Sequence, residues 1–195
     1  MSAQVDLLIF DLDGTLVDSR QDIVNSVDHT LDRLGLGRKP FEQVVSYIGT
    51  GVTDLLRQSV GNENGHLLDK AVSIFEKYYL EHSTDMTTLY PHVRDVLDHF
   101  SHKKMMIVTN RRKNMTHATL EVFGIDKYFS EVIGGDDDSC LKPRSCPIDR
   151  GRGSFSEPRD RTMMIGDMDL DIQAGRNAGV LTCGATYGIG KKEDI

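Results

Sequence analysis

The sequence predicts an α/β fold: a Rossmann-like parallel sheet flanked by helices, with an all-helical block inserted after the first strand. Three observations carry this. Short, almost wholly apolar runs recur along the chain, helical patterns separate them, and one long segment has no strand-like run.

The first run is Val5 to Phe10, which ends abruptly in Asp11. Others follow at Met105 to Val108, Val132 to Ile133, Met163 to Ile165 and Val180 to Cys183. Unbroken apolar runs of this length suit strands buried on both faces, as in a parallel sheet. Between them, Val93, Val96, Leu97 and Phe100 keep a three-four spacing, and the pattern at Leu120 and Phe123 stops at Gly124. From Arg20 to Thr88 the alternation breaks. Ile23, Val24, Val27, Leu31 and Leu34 form a helical stripe, and further stripes run through Val44, Val45 and Ile48 and through Leu67 to Tyr79. Residues 20–88 therefore read as a helical cap, and residues 1–19 with 89–195 as the α/β core.

The chain has 195 residues, room for one large domain or a medium one carrying a small one. Its net charge of −7 excludes a broad basic surface for nucleic acid or anionic membrane. No run approaches the ~18 apolar residues of a membrane span. The opening residues MSAQVDLLIFDLDG lack the basic region of a secretion signal. Cys140, Cys146 and Cys183 lack metal-ligand spacing and read as incidental thiols of a reducing cytoplasm. The segment from Lys142 to Arg161 holds three prolines and two glycines. It reads as a loop, or a frayed helix around Pro147 to Arg150, and leaves Lys142 weakly braced.

Chemistry concentrates at the strand ends. Asp11 and Asp13 follow the first strand, with Gly14 and Thr15 next. Two like charges ~4 Å apart repel by about 4 kcal/mol at an effective dielectric of ~20. A hard cation such as Mg2+ relieves that repulsion, although the same residues alone also read as a helix-capping cluster. Asp167, Asp169 and Asp171 follow the Met163 run. In a parallel sheet, strand C-termini share one edge, so the two acidic groups can converge on one metal. Asp169 also suits a helix cap, which makes Asp167 and Asp171 the better ligand candidates. Thr109 and Asn110 end another strand and suit a phosphoryl oxygen. Lys142 balances the charge: Asp11, Asp167 and Asp171 carry −3, and Mg2+ with Lys142 carries +3.

Taken in order, DLDGTLVDS, IVTN, LKP and GDMDLD resemble the four motifs of the haloacid dehalogenase superfamily, in its phosphoglycolate-phosphatase-like branch. The resemblance spans essentially the whole chain and implies a Mg2+-dependent cytoplasmic phosphatase of a small phosphorylated metabolite. It implies Asp11 as nucleophile and Asp13 as acid and base, with the Asp13 backbone carbonyl on the metal. It implies Thr109 and Asn110 on the phosphoryl group, Lys142 as the neutralising cation, Asp167 as a direct metal ligand, and Asp171 as a ligand or as support behind the ligands. A sugar phosphomutase of the same superfamily shares these motifs, and a non-catalytic phospho-binding scaffold is the alternative outside enzymes. Departures are His92 where relatives turn on glycine, and the Pro- and Gly-rich stretch after Lys142. Residues near Gly49 to Gly51 and Arg57 are expected to set specificity.

Overall fold

A computed structural model describes residues 4–195. Residues 1–3, at the start of the 1–19 segment and of the N-terminal reading above, lie outside the described residues. Five parallel strands form the sheet: β1 (Leu7–Phe10), β4 (Lys104–Val108), β5 (Glu131–Ile133), β6 (Thr162–Gly166) and β7 (Leu181–Gly184). Their order is β5-β4-β1-β6-β7. The chain therefore builds outward from β1 on one side and returns to build outward on the other. The C-terminal end of β1 is the topological switch point, where open α/β sheets bind ligands.

Alternation along the strands divides the core. Leu8, Phe10, Met105 and Ile107 join Val93, Leu97 and Leu120 on one face. Leu7, Ile9, Met106 and Met164 join Ile148, Ala174 and Ala178 on the other. The helices behind these contacts are α5 (Val93–His99), α6 (Lys113–Val122), α7 (Cys146–Arg152) and α8 (Asp169–Asn177).

Between β1 and α5 lie α1 (Arg20–Leu34), α2 (Phe41–Val45), α3 (Val52–Val60) and α4 (Leu68–His82). Their inward stripes meet in a cluster of their own, including Val27, Leu31, Leu56 and Phe75. The chain enters and leaves this block through a two-stranded antiparallel ribbon, β2 (Val17–Asp18) and β3 (Thr88–Leu89). Asp22, buried in the first turn of α1, accepts hydrogen bonds from Met86 N, Thr87 N and Thr87 Oγ1 at 3.0, 2.8 and 2.7 Å. Both crossings are thus tied together. No helix among the described residues is long and apolar enough to cross a membrane.

The Pro- and Gly-rich stretch contains a short helix, α7. Pro147 stands in its first turn, where the missing N–H costs nothing. Gly151 lies against β4, and a Cβ there would fall 1.9 Å from Met106 Cε. Its glycine thus permits close helix-to-sheet packing. Beyond α7 the chain is irregular up to a single 3-10 turn at Arg159–Arg161.

Cys140 and Cys146 are not incidental thiols: they form a disulfide, with Cα atoms 5.7 Å apart, and Cys183 is free. Spacing alone carried no such signal. The fold brings the two together by folding the Lys142 loop back onto the start of α7.

Candidate active site

Four of the chemically distinctive side chains sit just past a strand end on one edge of the sheet. Asp11 follows β1, Thr109 and Asn110 follow β4, and Asp167 follows β6. Gly14 turns the chain after β1 with φ 86°, and a Cβ on it would lie 2.2 Å from Asp167 Oδ2. Only glycine lets the two strand ends approach this closely.

Lys142 Nζ lies 2.7 Å from Asp11 Oδ1 and 2.6 Å from Asp171 Oδ1, and all three side chains are buried. Ligand oxygens of Asp11, Asp167 and Asp171 lie within 4.8 Å of one another. Three carboxylates thus face one ammonium. Burial pushes the Asp11 carboxyl up to about 7, despite the opposing pull of Lys142. Burial also raises Asp167 and Asp171. Burial alone would lower Lys142, but Asp11 and Asp171 more than offset it and hold its ammonium above the ordinary value.

Asp167 is itself clasped. Thr15 Oγ1 donates to its Oδ1 at 2.9 Å, while Ile189 N and Gly190 N donate to Oδ2 at 2.7 and 3.0 Å. Asp171 Oδ2 accepts from Met168 N at 3.0 Å, at the start of α8. Asn110 turns its side chain away from the carboxylates. Its Nδ2 donates to Gly49 O at 2.8 Å and Lys142 O at 3.0 Å, and its Oδ1 accepts from Lys142 N at 2.8 Å. The amide therefore braces the Lys142 loop and ties it to the helical block. Thr109, also buried, accepts from Arg111 N at 3.2 Å.

Residues 8–185 match the family described as haloacid dehalogenase-like hydrolase. The chain belongs to that family.

Among relatives of this hydrolase is the phosphoglycolate phosphatase of Aquifex aeolicus, 33% identical over 93% of this chain and 85% of that protein. The phosphoglycolate phosphatase of Haemophilus influenzae (strain KW20) is 35% identical over 96% of this chain and 88% of that protein. The crystal structure of a predicted phosphoglycolate phosphatase from Haemophilus somnus superposes with a TM-score of 0.90. It is 29% identical and covers 98% of this chain and 90% of that one.

A cavity of about 50 Å³ separates this hydrolase's sheet edge from its helical block. Asp11, Asp13, Thr109, Asn110, Lys142 and Asp171 line it. Gly49 and Gly51 line it too, whereas Arg57 points outward and pairs with Asp54 at 2.8 Å. His92 adopts φ 65° at an exposed turn and bonds to Asp95 at 2.9 Å. It borders a separate apolar cleft rather than this cavity.

Two groups went unread in the sequence. Arg111, buried against the cavity, donates Nε to Asp13 Oδ2 at 3.0 Å, and its Nη2 pairs with Asp13 Oδ1. Ser19 Oγ also donates to Asp13 Oδ1. The segment from Tyr187 to Gly190 closes over the opposite side, with Tyr187 Oη donating to Thr15 O at 2.9 Å. Arg111 stood one residue past a selected pair, and YGIG was a glycine-rich turn after the last strand. Both lay on the correct sheet edge, and that edge was the available signal.

The donor set suits a hard divalent cation: all oxygen, largely carboxylate, and short of positive charge.

Proposed function

We propose that this hydrolase is a Mg2+-dependent phosphatase of a small, phosphoglycolate-like monoester, working through an aspartyl-phosphate on Asp11. The chain is a phosphoric monoester hydrolase. Phosphoglycolate as its substrate is carried over from the relatives. The observation that carries the mechanistic reading is the position of Asp11, a buried carboxylate at the switch point, 2.7 Å from a buried lysine and beside two further acids.

Asp167 and Asp171, with Asp11 and the Asp13 backbone carbonyl, would hold the metal. When bound, it supplies positive charge to the transferring phosphoryl oxygens. An Asp11 oxygen attacks phosphorus, the P–O bond to the leaving group breaks, and Asp13 gives that oxygen a proton. Asp13 then takes a proton from water as the water oxygen attacks phosphorus. The bond to Asp11 breaks, inorganic phosphate leaves and the carboxylate is restored. Lys142 holds Asp11 in place and offsets charge near the phosphoryl group. The Thr109 hydroxyl and the Asn110 backbone N–H orient the phosphoryl oxygens, while the Asn110 side chain holds Lys142.

Residues 20–88 act as the cap over a core of residues 1–19 and 89–195. The cap shields the intermediate from stray water, and the enzyme works on a small soluble metabolite. A panel of phosphate esters, assayed with Mg2+ and with EDTA, tests the reading. Metal-dependent phosphate release that is lost in Asp11→Asn is the expected result. Rearranged sugar phosphates without free phosphate would assign a mutase instead.

A further inference from the structure

The cavity holds two cations among its described lining residues, Lys142 and Arg111. Lys142 is engaged by Asp11 and Asp171. The helical block contributes Ile48, Val52, Leu55, Phe75 and Tyr79 to the wall, and no charged side chain. A substrate with a second negative charge besides its phosphate therefore meets one further counter-ion here, the guanidinium of Arg111.

That guanidinium is held for such a task. Its side chain is 3% exposed, Nη1 donates to Thr119 Oγ1 at 2.8 Å, and its carbon lies 5.1 Å from the centre of the Tyr79 ring. The remaining edge, Nε with Nη2, faces Asp13 as a two-pronged carboxylate receptor. Asp13 has a second donor in Ser19 Oγ, so its carboxylate is not left bare when the arginine changes partner. In the proposed reaction Asp13 addresses the leaving oxygen. A carboxylate one carbon from that oxygen therefore arrives beside the same guanidinium edge.

We propose that Arg111 determines specificity by receiving an anionic group on the leaving group, exchanging the Asp13 carboxylate for the substrate's own. This rests on the phosphatase reading above and deepens it. It excludes cationic leaving groups, and it disfavours neutral ones, which cannot displace Asp13 from the arginine.

The test compares two near-isosteric esters, phosphoglycolate and carbamoylmethyl phosphate, which differ in one negative charge. Wild-type protein is expected to favour the carboxylate by about a hundredfold in kcat/KM, the scale of losing one partner of a buried charge pair. Arg111→Gln lowers that ratio by about tenfold or more, and Arg111→Lys restores part of it. Calorimetric binding of both esters to Asp11→Asn protein reads the same preference without turnover, and does so even where Arg111→Gln fails to fold. Equal handling of both esters by wild-type protein, or an unchanged ratio in Arg111→Gln, overturns the proposal. Absence of turnover on every ester would overturn the phosphatase reading instead, and the binding comparison repeated in an Asp11→Asn, Arg111→Lys double variant would still decide the role of Arg111.

Discussion

The buried ammonium of Lys142 reaches the Asp11 carboxylate at 2.7 Å, yet burial still raises Asp11 to about 7. One cation shared with Asp171 does not balance the cluster. The site therefore carries uncompensated negative charge, and the first two predictions follow from that.

Asp11→Asn removes one of the crowded charges and the attacking oxygen together. Turnover should fall by about a thousandfold or more, the scale seen when a nucleophile is removed. Because the neutral amide relieves repulsion, urea unfolding of the metal-free variant at neutral pH should show stability equal to or above that of wild type. A clear loss of stability would mean that Asp11 is chiefly a structural partner of Lys142.

The pH dependence has a definite sign. Asp11 rises from an ordinary value of 3.8 to about 7, and Asp167 and Asp171 shift upward as well. Between those values the folded state holds more protons than the unfolded chain, so metal-free stability falls as pH rises from about 4 to 7. A divalent cation offsets the ionised cluster, so Mg2+ should raise the Tm more at pH 8 than at pH 5. Thermal unfolding with Mg2+ and with EDTA across that range checks this. A Mg2+ effect independent of pH would separate the metal from these acids.

The disulfide between Cys140 and Cys146 brackets Lys142. Closing a loop of about seven residues stabilises by about 2 kcal/mol in the chain-entropy account. Reduction should lower the urea midpoint accordingly. It should slow turnover more than it weakens Mg2+ binding, because the loop carries the lysine and none of the three clustered acids. A Cys140→Ser, Cys146→Ser double variant should behave like the reduced protein, and it should be indifferent to reductant.

His92 adopts φ 65°, a conformation that costs most side chains about 1–2 kcal/mol. Its one side-chain partner, Asp95, is exposed. His92→Gly should therefore raise stability by about 1 kcal/mol or less, after glycine's greater freedom in the unfolded chain is subtracted. Turnover should stay unchanged, since His92 lies outside the cavity.

Much of this was legible because burial and charge leave strong local marks. An apolar run that stops at an aspartate can be read directly, so β1 with Asp11 and β6 with Asp167 were visible in the chain. The β2–β3 ribbon was not, because two residues per strand establish no period. Helix α7 was legible only as one of two alternatives, a loop or a frayed helix around Pro147 to Arg150, because prolines and glycines usually oppose helices; Pro147 occupies a permissive first turn and Gly151 packs closely on Met106. The pairing of Arg111 with Asp13 joins distant parts of the chain through side chains alone. The bonds from the Asn110 side chain to the backbone of Lys142 likewise join positions 32 residues apart. Long-range partner choice of this kind has no local pattern to betray it.

The β2–β3 ribbon has an architectural consequence. Val17 pairs with Leu89 and Asp18 with Thr88, so the two ends of the helical insertion are neighbours in space. From the standpoint of the sheet, some seventy residues leave and return at a single address. Elements with adjoining ends can be exchanged, lengthened or pared back to a hairpin without moving any of the five sheet strands. The edge that carries the acids and the helical insertion are thus structurally separable: the insertion can vary in size while the strand order beneath it is passed on intact.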